Sequence, residues 1–168
     1  MFILYSNKLV DMPGCEVGRS PCKQFEHTCH GMDRAVIATC NYPHLFDGNI
    51  NCIWELVTEK GTFVTLEFLD FNVPSSSHDC QRHGVTIYDG TLEENVMRGK
   101  VMHEYCGDKN PDGAVIRSSF HIMTVEFITN DWMEDRGRGF LAEYQALTFQ
   151  SKVLEISPVN NMSKFNIG

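Results

Sequence analysis

The 168-residue sequence predicts an all-β domain, built either as a sandwich or as a barrel. Short apolar runs alternate with polar residues at a period of two, and turn-forming dipeptides separate these runs. No segment shows the 3.6-residue period of an amphipathic helix of three turns. The length suits one folded domain of about 100 to 150 residues with short appendages.

Five alternating runs predict strands in order along the chain. They centre on Trp54 and Leu56, on Val64, Leu66 and Phe68, on Val85 and Ile87, on Met123, Val125 and Phe127, and on Phe140, Ala142 and Tyr144. Turn dipeptides lie at Asp47-Gly48, Lys60-Gly61, Pro74-Ser75, Asp89-Gly90 and Asp112-Gly113. Each strand should therefore have one buried and one solvated face, and Thr91 to Met97 should form a short helical turn at most.

Composition divides the chain into a folded middle and two attachments. Residues 31–150 contain nine basic and eighteen acidic side chains, so their net charge of −9 exceeds the −8 of the whole chain. The first thirty residues hold three of the seven cysteines, and the last eighteen are polar. We assign residues 1–28 to a cysteine-containing N-terminal extension, 29–148 to the folded domain and 149–168 to a polar tail.

The charge balance and the hydropathy exclude two classes of partner. Proteins that neutralise phosphates need clustered Lys and Arg, so nucleic acid is excluded for this acidic chain. No run of about 18 apolar residues is present to insert into a membrane. The apolar start Met1 to Tyr5 is too short for a signal peptide, so none is visible in this chain.

A series of short motifs resembles the CUB domain in order and in spacing. The motifs are Asn41-Tyr42-Pro43, Cys52-Ile53-Trp54, Phe68-Leu69-Asp70-Phe71, Cys80, Ile87-Tyr88-Asp89-Gly90, Tyr105-Cys106-Gly107, Ser118-Ser119 and Gly139-Phe140-Leu141-Ala142-Glu143-Tyr144. The resemblance runs from about Cys29 to Tyr144. It implies an antiparallel β-sandwich of jelly-roll type, an extracellular location and a non-catalytic role in protein recognition.

The same resemblance implies part of a disulfide framework. In the family, the cysteines that match Cys80 and Cys106 form a bridge at one end of the sandwich. The cysteine that matches Cys52 pairs with one upstream, and Cys29 is the best candidate here by distance.

Three cysteines remain, and the sequence does not rank their pairings. Cys40 stands where the family usually has proline, and a bridge from it to Cys15 or Cys22 would tie the extension to the sandwich. Alternatively, Cys40 could pair with Cys29 and release another partner for Cys52. Because seven is odd, at least one thiol stays free or pairs outside this chain.

Many CUB domains bind calcium in a loop cluster, and the matching positions here predict that this chain lacks the site. They hold Pro74, His83 and Asn130, whereas Ca²⁺ prefers several carboxylate oxygens. Only Asp131, one residue beyond Asn130, could replace one of the missing ligands.

Zinc binding and catalysis are also not expected. Cys22, His27, Cys29 and His30 are ligand types for zinc, but their spacing matches no common finger or ribbon. The chain has no Gly-x-Ser-x-Gly elbow, no His-Glu-x-x-His helix and no phosphate-binding Gly-rich loop. We therefore predict no enzyme activity, no cofactor and no metal site in these residues.

The candidate contact residues lie in loops, where function in β-sandwiches is concentrated. Trp132 is the candidate interface anchor, Arg136 and Arg138 form a small basic spot, and His83 closes a second candidate surface that begins at Pro74.

The sequence thus predicts an extracellular recognition module that binds other extracellular or cell-surface proteins. The parent protein would be a receptor-type or secreted multidomain protein, and Asn161 in Asn161-Met162-Ser163 is a candidate N-glycosylation site. Two alternatives are a stand-alone secreted binder of glycans or proteins that resembles spermadhesins, and an accessory domain of a CUB-containing protease.

Overall fold

Ten β-strands make up the regular structure of the described residues. The computed structural model describes residues 15–17, 24–30, 34–46, 48–75, 80–92, 99–129 and 136–148, with the backbone alone for 15–17 and 24–30. The strands are β1 (Cys15–Val17), β2 (Gln24–His30), β3 (Arg34–Ala38), β4 (Asn51–Val57), β5 (Thr62–Asn72), β6 (Gly84–Asp89), β7 (Lys100–Tyr105), β8 (Val115–Arg117), β9 (Ile122–Ile128) and β10 (Gly139–Thr148).

The strands form two sheets that pack face to face. Sheet A has six strands in the order β1-β2-β4-β9-β6-β7, and sheet B has four in the order β3-β10-β5-β8. Neighbouring strands run antiparallel, except that β2 runs parallel to β4. The prediction of an all-β sandwich is confirmed.

The predicted inward faces form the core between the sheets. All thirteen apolar residues named from the alternating runs are buried: Trp54, Leu56, Val64, Leu66, Phe68, Val85, Ile87, Met123, Val125, Phe127, Phe140, Ala142 and Tyr144. The ring of Phe140 makes edge-to-face contacts with Trp54 and Phe68, both at 5.3 Å between centroids, and with Phe127 at 6.0 Å. This aromatic cluster joins the two sheets at their centre.

Five strands were not among those predicted. β3, β7 and β8 lie at or next to sheet edges, and each buries at most one residue, so their sequences lack a clear period of two. β1 and β2 lie mostly within the predicted N-terminal extension, yet they extend sheet A beside β4. The predicted helical turn falls largely on residues 93–97, which are outside the described part of the chain.

Candidate functional site

Four loops meet at one end of the sandwich, which we call the loop end. They are the β3–β4 loop (39–50), the β5–β6 loop (73–83), the β7–β8 loop (106–114) and the β9–β10 loop (129–138). The strand registers bring them together, because Asn51 pairs with Ile128 and Gly139 pairs with Asn72. Loops carried on a rigid sandwich are where binding residues concentrate, so the loop end is the candidate functional site.

A disulfide joins two of these loops. The bridge between Cys80 and Cys106 is formed as expected, with their Cα atoms 5.3 Å apart, within the usual range for a disulfide. Next to it, the backbone N–H of Gly107 donates to the carbonyl of Val73 at 2.8 Å. The β5–β6 and β7–β8 loops are therefore held to each other by a covalent bond and a hydrogen bond.

Backbone hydrogen bonds connect the other two loops. The N–H of Phe46 donates to the carbonyl of Gly137 at 3.0 Å, and the N–H of Thr129 donates to the carbonyl of Ile50 at 2.8 Å. A Cβ atom at Gly137 would collide with the carbonyl oxygen of Asn72. The close approach of the β9–β10 loop to the end of β5 thus requires glycine at this position.

A charged network lies at the surface of the loop end. Arg138 donates to both carboxylate oxygens of Asp70, with the shortest contact at 3.0 Å, and the hydroxyl of Tyr42 donates to Asp70 Oδ2 at 2.9 Å. The backbone N–H of Arg138 also donates to the side-chain carbonyl of Asn72 at 3.0 Å. The network links the β3–β4 loop, β5 and the β9–β10 loop.

Arg138 of the predicted basic spot is paired with a carboxylate, and its role as a contact residue stays a prediction. Its charge is compensated by Asp70, a residue 68 positions earlier in the sequence. Arg136 is half-buried, with its Nε atom shielded from solvent. Sequence reasoning missed this pairing because Asp70 was assigned only to an architectural motif.

The network holds Asp70 in its charged form. The hydrogen bonds from Arg138, the largest cause, and from Tyr42 lower the pKa of Asp70 below its ordinary value, although partial burial opposes them. A depressed pKa in the folded state stabilises the fold above the unfolded-state pKa of about 3.9 and ceases to do so as the pH falls through the folded-state value.

Replacement of Asp70 should therefore change the pH dependence of stability. We expect Asp70→Asn to unfold at a lower temperature than the original protein at pH 7, and this difference to shrink between pH 5 and pH 2. Thermal unfolding followed by circular dichroism over this range measures it. Asp112→Asn is the matched control, since Asp112 is exposed; an equal pH-dependent difference in that variant would contradict the role of the network.

His83 lies inside the protein, contrary to the prediction that it is a contact residue. Its exposed fraction is 3%, and its imidazole packs 5.8 Å from the ring of Phe46. Neither ring nitrogen has a hydrogen-bond partner among the residues that the structure describes. The β3–β4 loop covers His83 through Phe46. The sequence does not predict this burial, because it shows only that His83 lies in a loop just before Gly84.

The residues at the calcium positions do not fit the ion. Pro74 has no side-chain oxygen, and the buried imidazole of His83 is not a carboxylate ligand. Asn130 and Asp131 lie outside the described residues. Within the part of the chain that the structure describes, no cluster of three or more His, Cys, Asp or Glu side chains is arranged to hold a metal ion.

The expected pairing of Cys29 with Cys52 is not formed. Cys52 is a buried free thiol, and its partner in the β2–β4 register is Phe25. Cys29 lies opposite Leu56, which is four residues further along β4 than Cys52. Cys29 and Cys52 are therefore about 13 Å apart along the parallel strands, which is too far for a disulfide.

The remaining cysteines are only partly described. The β1–β2 register places Cys15 opposite Cys29, and Cys40 is half-buried and packs against the core. Cys22 lies outside the described residues, as do Trp132 and Asn161, and the side chains of the rest of the zinc-type set are not described either. Their predicted roles remain predictions.

The sandwich, its order of strands and the Cys80–Cys106 bridge agree with one known family. The sequence model of the CUB domain matches residues 27–144. The chain belongs to the CUB domain family. A CUB domain is a non-catalytic module, and proteases that contain one carry their catalytic domain elsewhere in the chain.

Known proteins with CUB domains resemble this chain over much of its length. Cubilin from Sus scrofa is 34% identical over 103 residues, which are 61% of this chain and 3% of cubilin. An astacin-like metalloendopeptidase from Coturnix japonica is 29% identical over 116 residues, which are 69% of this chain and 26% of that protein. This chain thus spans about a quarter or less of these relatives.

A solved structure supports the same assignment. The CUB1-EGF-CUB2 domains of rat MASP-1 superpose with a TM-score of 0.62 at 26% identity, covering 78% of this chain and 47% of that one. No helix among the described residues of this CUB domain has the length and hydropathy needed to cross a membrane.

Proposed function

We propose that this CUB domain is an extracellular protein-recognition module, and that the loop end is its contact surface. The observation that carries the proposal is the cross-linked geometry of that end, where one disulfide and the Tyr42–Asp70–Arg138 network fix loops from both sheets. Loops held in place before binding lose little conformational entropy when a partner docks, which favours affinity.

Two apolar side chains are exposed in segments that carry the network, Leu45 in the loop of Tyr42 and Leu69 in the strand of Asp70. Leu45 in the β3–β4 loop is 57% exposed, and Leu69, which adjoins Asp70, is 54% exposed. Exposed apolar side chains next to a charged, hydrogen-bonded rim are typical of protein contact sites. Other extracellular or cell-surface proteins are therefore the proposed partners.

We propose further that this recognition does not require calcium. The loop end is already held by the disulfide, the backbone hydrogen bonds and the ion pair, and His83 packs against Phe46 where the resemblance places a carboxylate ligand. These described contacts hold the loops without calcium.

The proposed setting is a larger receptor-type or secreted protein. The relatives named above are longer than this chain, and cubilin is longer than the metalloendopeptidase. The metalloendopeptidase relative supports the alternative of an accessory domain in a protease. The complete transcript around this reading frame distinguishes the two by the presence or absence of a catalytic domain.

A binding screen with matched variants tests the contact surface. The chain, secreted and displayed as a multivalent bait, is screened against a panel of extracellular ectodomains in buffer with EDTA. We expect Leu45→Glu to weaken any specific binding about tenfold or more, because a buried charge at an interface is costly. Phe120→Glu is the control, since Phe120 is 71% exposed in the β8–β9 turn at the opposite end.

Three outcomes of the screen would contradict the proposal. They are equal losses in the two variants, binding that depends on added calcium, and the absence of any partner in a panel that contains the ectodomains of the same tissue. Thermal shift with about 1 mM calcium, a concentration at which extracellular sites fill, should leave the unfolding temperature unchanged.

A further inference from the structure

The outer face of sheet A contains a shallow recess, and Gln81 of the β5–β6 loop lines one side of it. Its volume is about 360 Å³, and it lies across β9, β6 and β7 near the edge of the sheet. The strand registers place Glu104, Thr86 and Glu126 in one row across these strands. Because adjacent strands are about 4.8 Å apart, the Cα atoms of the two glutamates lie about 10 Å from each other on either side of the small Thr86.

The two glutamates have no cationic partner among the described residues. Glu104 Oε1 accepts a hydrogen bond from the side-chain amide of Gln81 at 2.9 Å, and Glu126 Oε2 accepts one from the hydroxyl of Tyr88 at 2.8 Å. Both donors are neutral, and no lysine or arginine among the described residues forms an ion pair with either glutamate. No described cation therefore compensates either carboxylate, and one oxygen of each accepts no hydrogen bond from a described residue.

Carboxylates on sheet B differ in this respect. Glu143 is paired with Arg34, and Asp70 is paired with Arg138. An acidic domain that pairs these carboxylates but leaves two half-buried ones facing a common recess presents a local negative potential there. A cation supplied by another molecule is the complementary group.

The remaining lining suits the aliphatic part of a basic side chain. Tyr88 and Val101 are register partners in the row next to the glutamates, and Val101 is 46% exposed. Lys and Arg pack their methylene groups on such surfaces while the charged end reaches the acceptors.

We propose that this recess binds a lysine or arginine side chain of a protein partner, presented by a segment that crosses the outer face of β6 and β7, with Glu104 and Glu126 on either side of the cation. The site lies on the outer face of sheet A, adjoins the β5–β6 loop through Gln81 and does not depend on the function proposed for the loop end.

Titration of the ¹⁵N-labelled full chain with blocked pentapeptides tests the recess. The peptides alternate threonine and valine and carry lysine, arginine, norleucine or glutamate at the centre. We expect the lysine and arginine peptides to give saturable shifts of amide signals in β6, β7 and β9. The norleucine peptide should have an affinity lower by a factor of about five or more. Norleucine retains the methylene chain and lacks the charge.

Matched charge variants separate the recess from the general acidity of the domain. Glu104→Gln/Glu126→Gln should weaken binding of the lysine peptide roughly fivefold or more. Glu59→Gln/Glu67→Gln removes the same charge from exposed positions and should change this affinity little. Preserved dispersion of the amide spectrum shows that each variant is folded. Leu45→Glu, which tests the loop end, should leave this binding unchanged.

The proposal is overturned by any of four results. These are the absence of saturable shifts, equal affinity for the norleucine peptide, equal weakening in the two charge variants, and shifts confined to the loop end.

Discussion

Removal of the Cys80–Cys106 bridge should lower the free energy of unfolding by about 3.5 kcal/mol. The bridge closes a segment with a sequence separation of 26, and in the chain-entropy model a cross-link over such a length restricts the unfolded state by about this amount. In a domain of this size, the unfolding temperature of Cys80→Ser/Cys106→Ser should fall by roughly 10 to 20 °C.

Urea unfolding measures the loss, with the slope of the transition checked for two-state behaviour. Cys80→Ala/Cys106→Ala should lose a similar amount, because the effect comes from the missing cross-link and not from buried hydroxyl groups. A loss below about 1 kcal/mol in both variants would show that the loop end is held mainly by its hydrogen bonds.

The second large effect is expected at the centre of the core. Phe140→Ala should reduce the free energy of unfolding by about 3 to 5 kcal/mol, because it opens a cavity among the rings of Trp54, Phe68 and Phe127. Denaturant unfolding of the variant and the original protein at one pH gives the difference.

The chain offers a control with the same chemistry. Phe120 is 71% exposed, so Phe120→Ala should change stability by no more than about 0.5 kcal/mol. Phe140→Leu, which retains most of the buried volume, should lose clearly less than Phe140→Ala. Similar losses for Phe140→Ala and Phe120→Ala would mean that the aromatic cluster does not carry the packing assigned to it.

The core could be predicted from the sequence because its signal is local. Residues such as Val64, Leu66 and Phe68 alternate with polar neighbours, and a strand turns successive side chains to opposite faces. Edge strands such as β7 and β8 bury at most one side chain each, so their sequences do not show a period of two and could not be recognised as strands.

The contact surface could be predicted only in outline. Its location in loops followed from the fold class, but the pairing of Arg138 with Asp70 and the burial of His83 did not. Arg138 meets a carboxylate from another strand, and His83 is covered by Phe46 from a different loop. Both contacts join residues far apart in the chain, and a single sequence contains no record of such distances.

The recess on sheet A illustrates the same limit. Glu104 and Glu126 are 22 positions apart, and neither stands out in the sequence. Glu126 is one polar residue in an alternating run, and Glu104 lies in β7, which has no clear period of two. Only the registers of β6 with β7 and of β6 with β9 place them on either side of Thr86.

The sequence by itself determined the fold class and the inward residues of the main strands, since side-chain alternation is a property of neighbouring positions. The bridge between Cys80 and Cys106 was implied by the resemblance to the CUB family and is formed in the structure. The tertiary structure decided which charges are compensated, which histidine is buried and why Cys52 stays a thiol. These depend on strand register and on contacts between loops, which exist only after the two sheets have packed together.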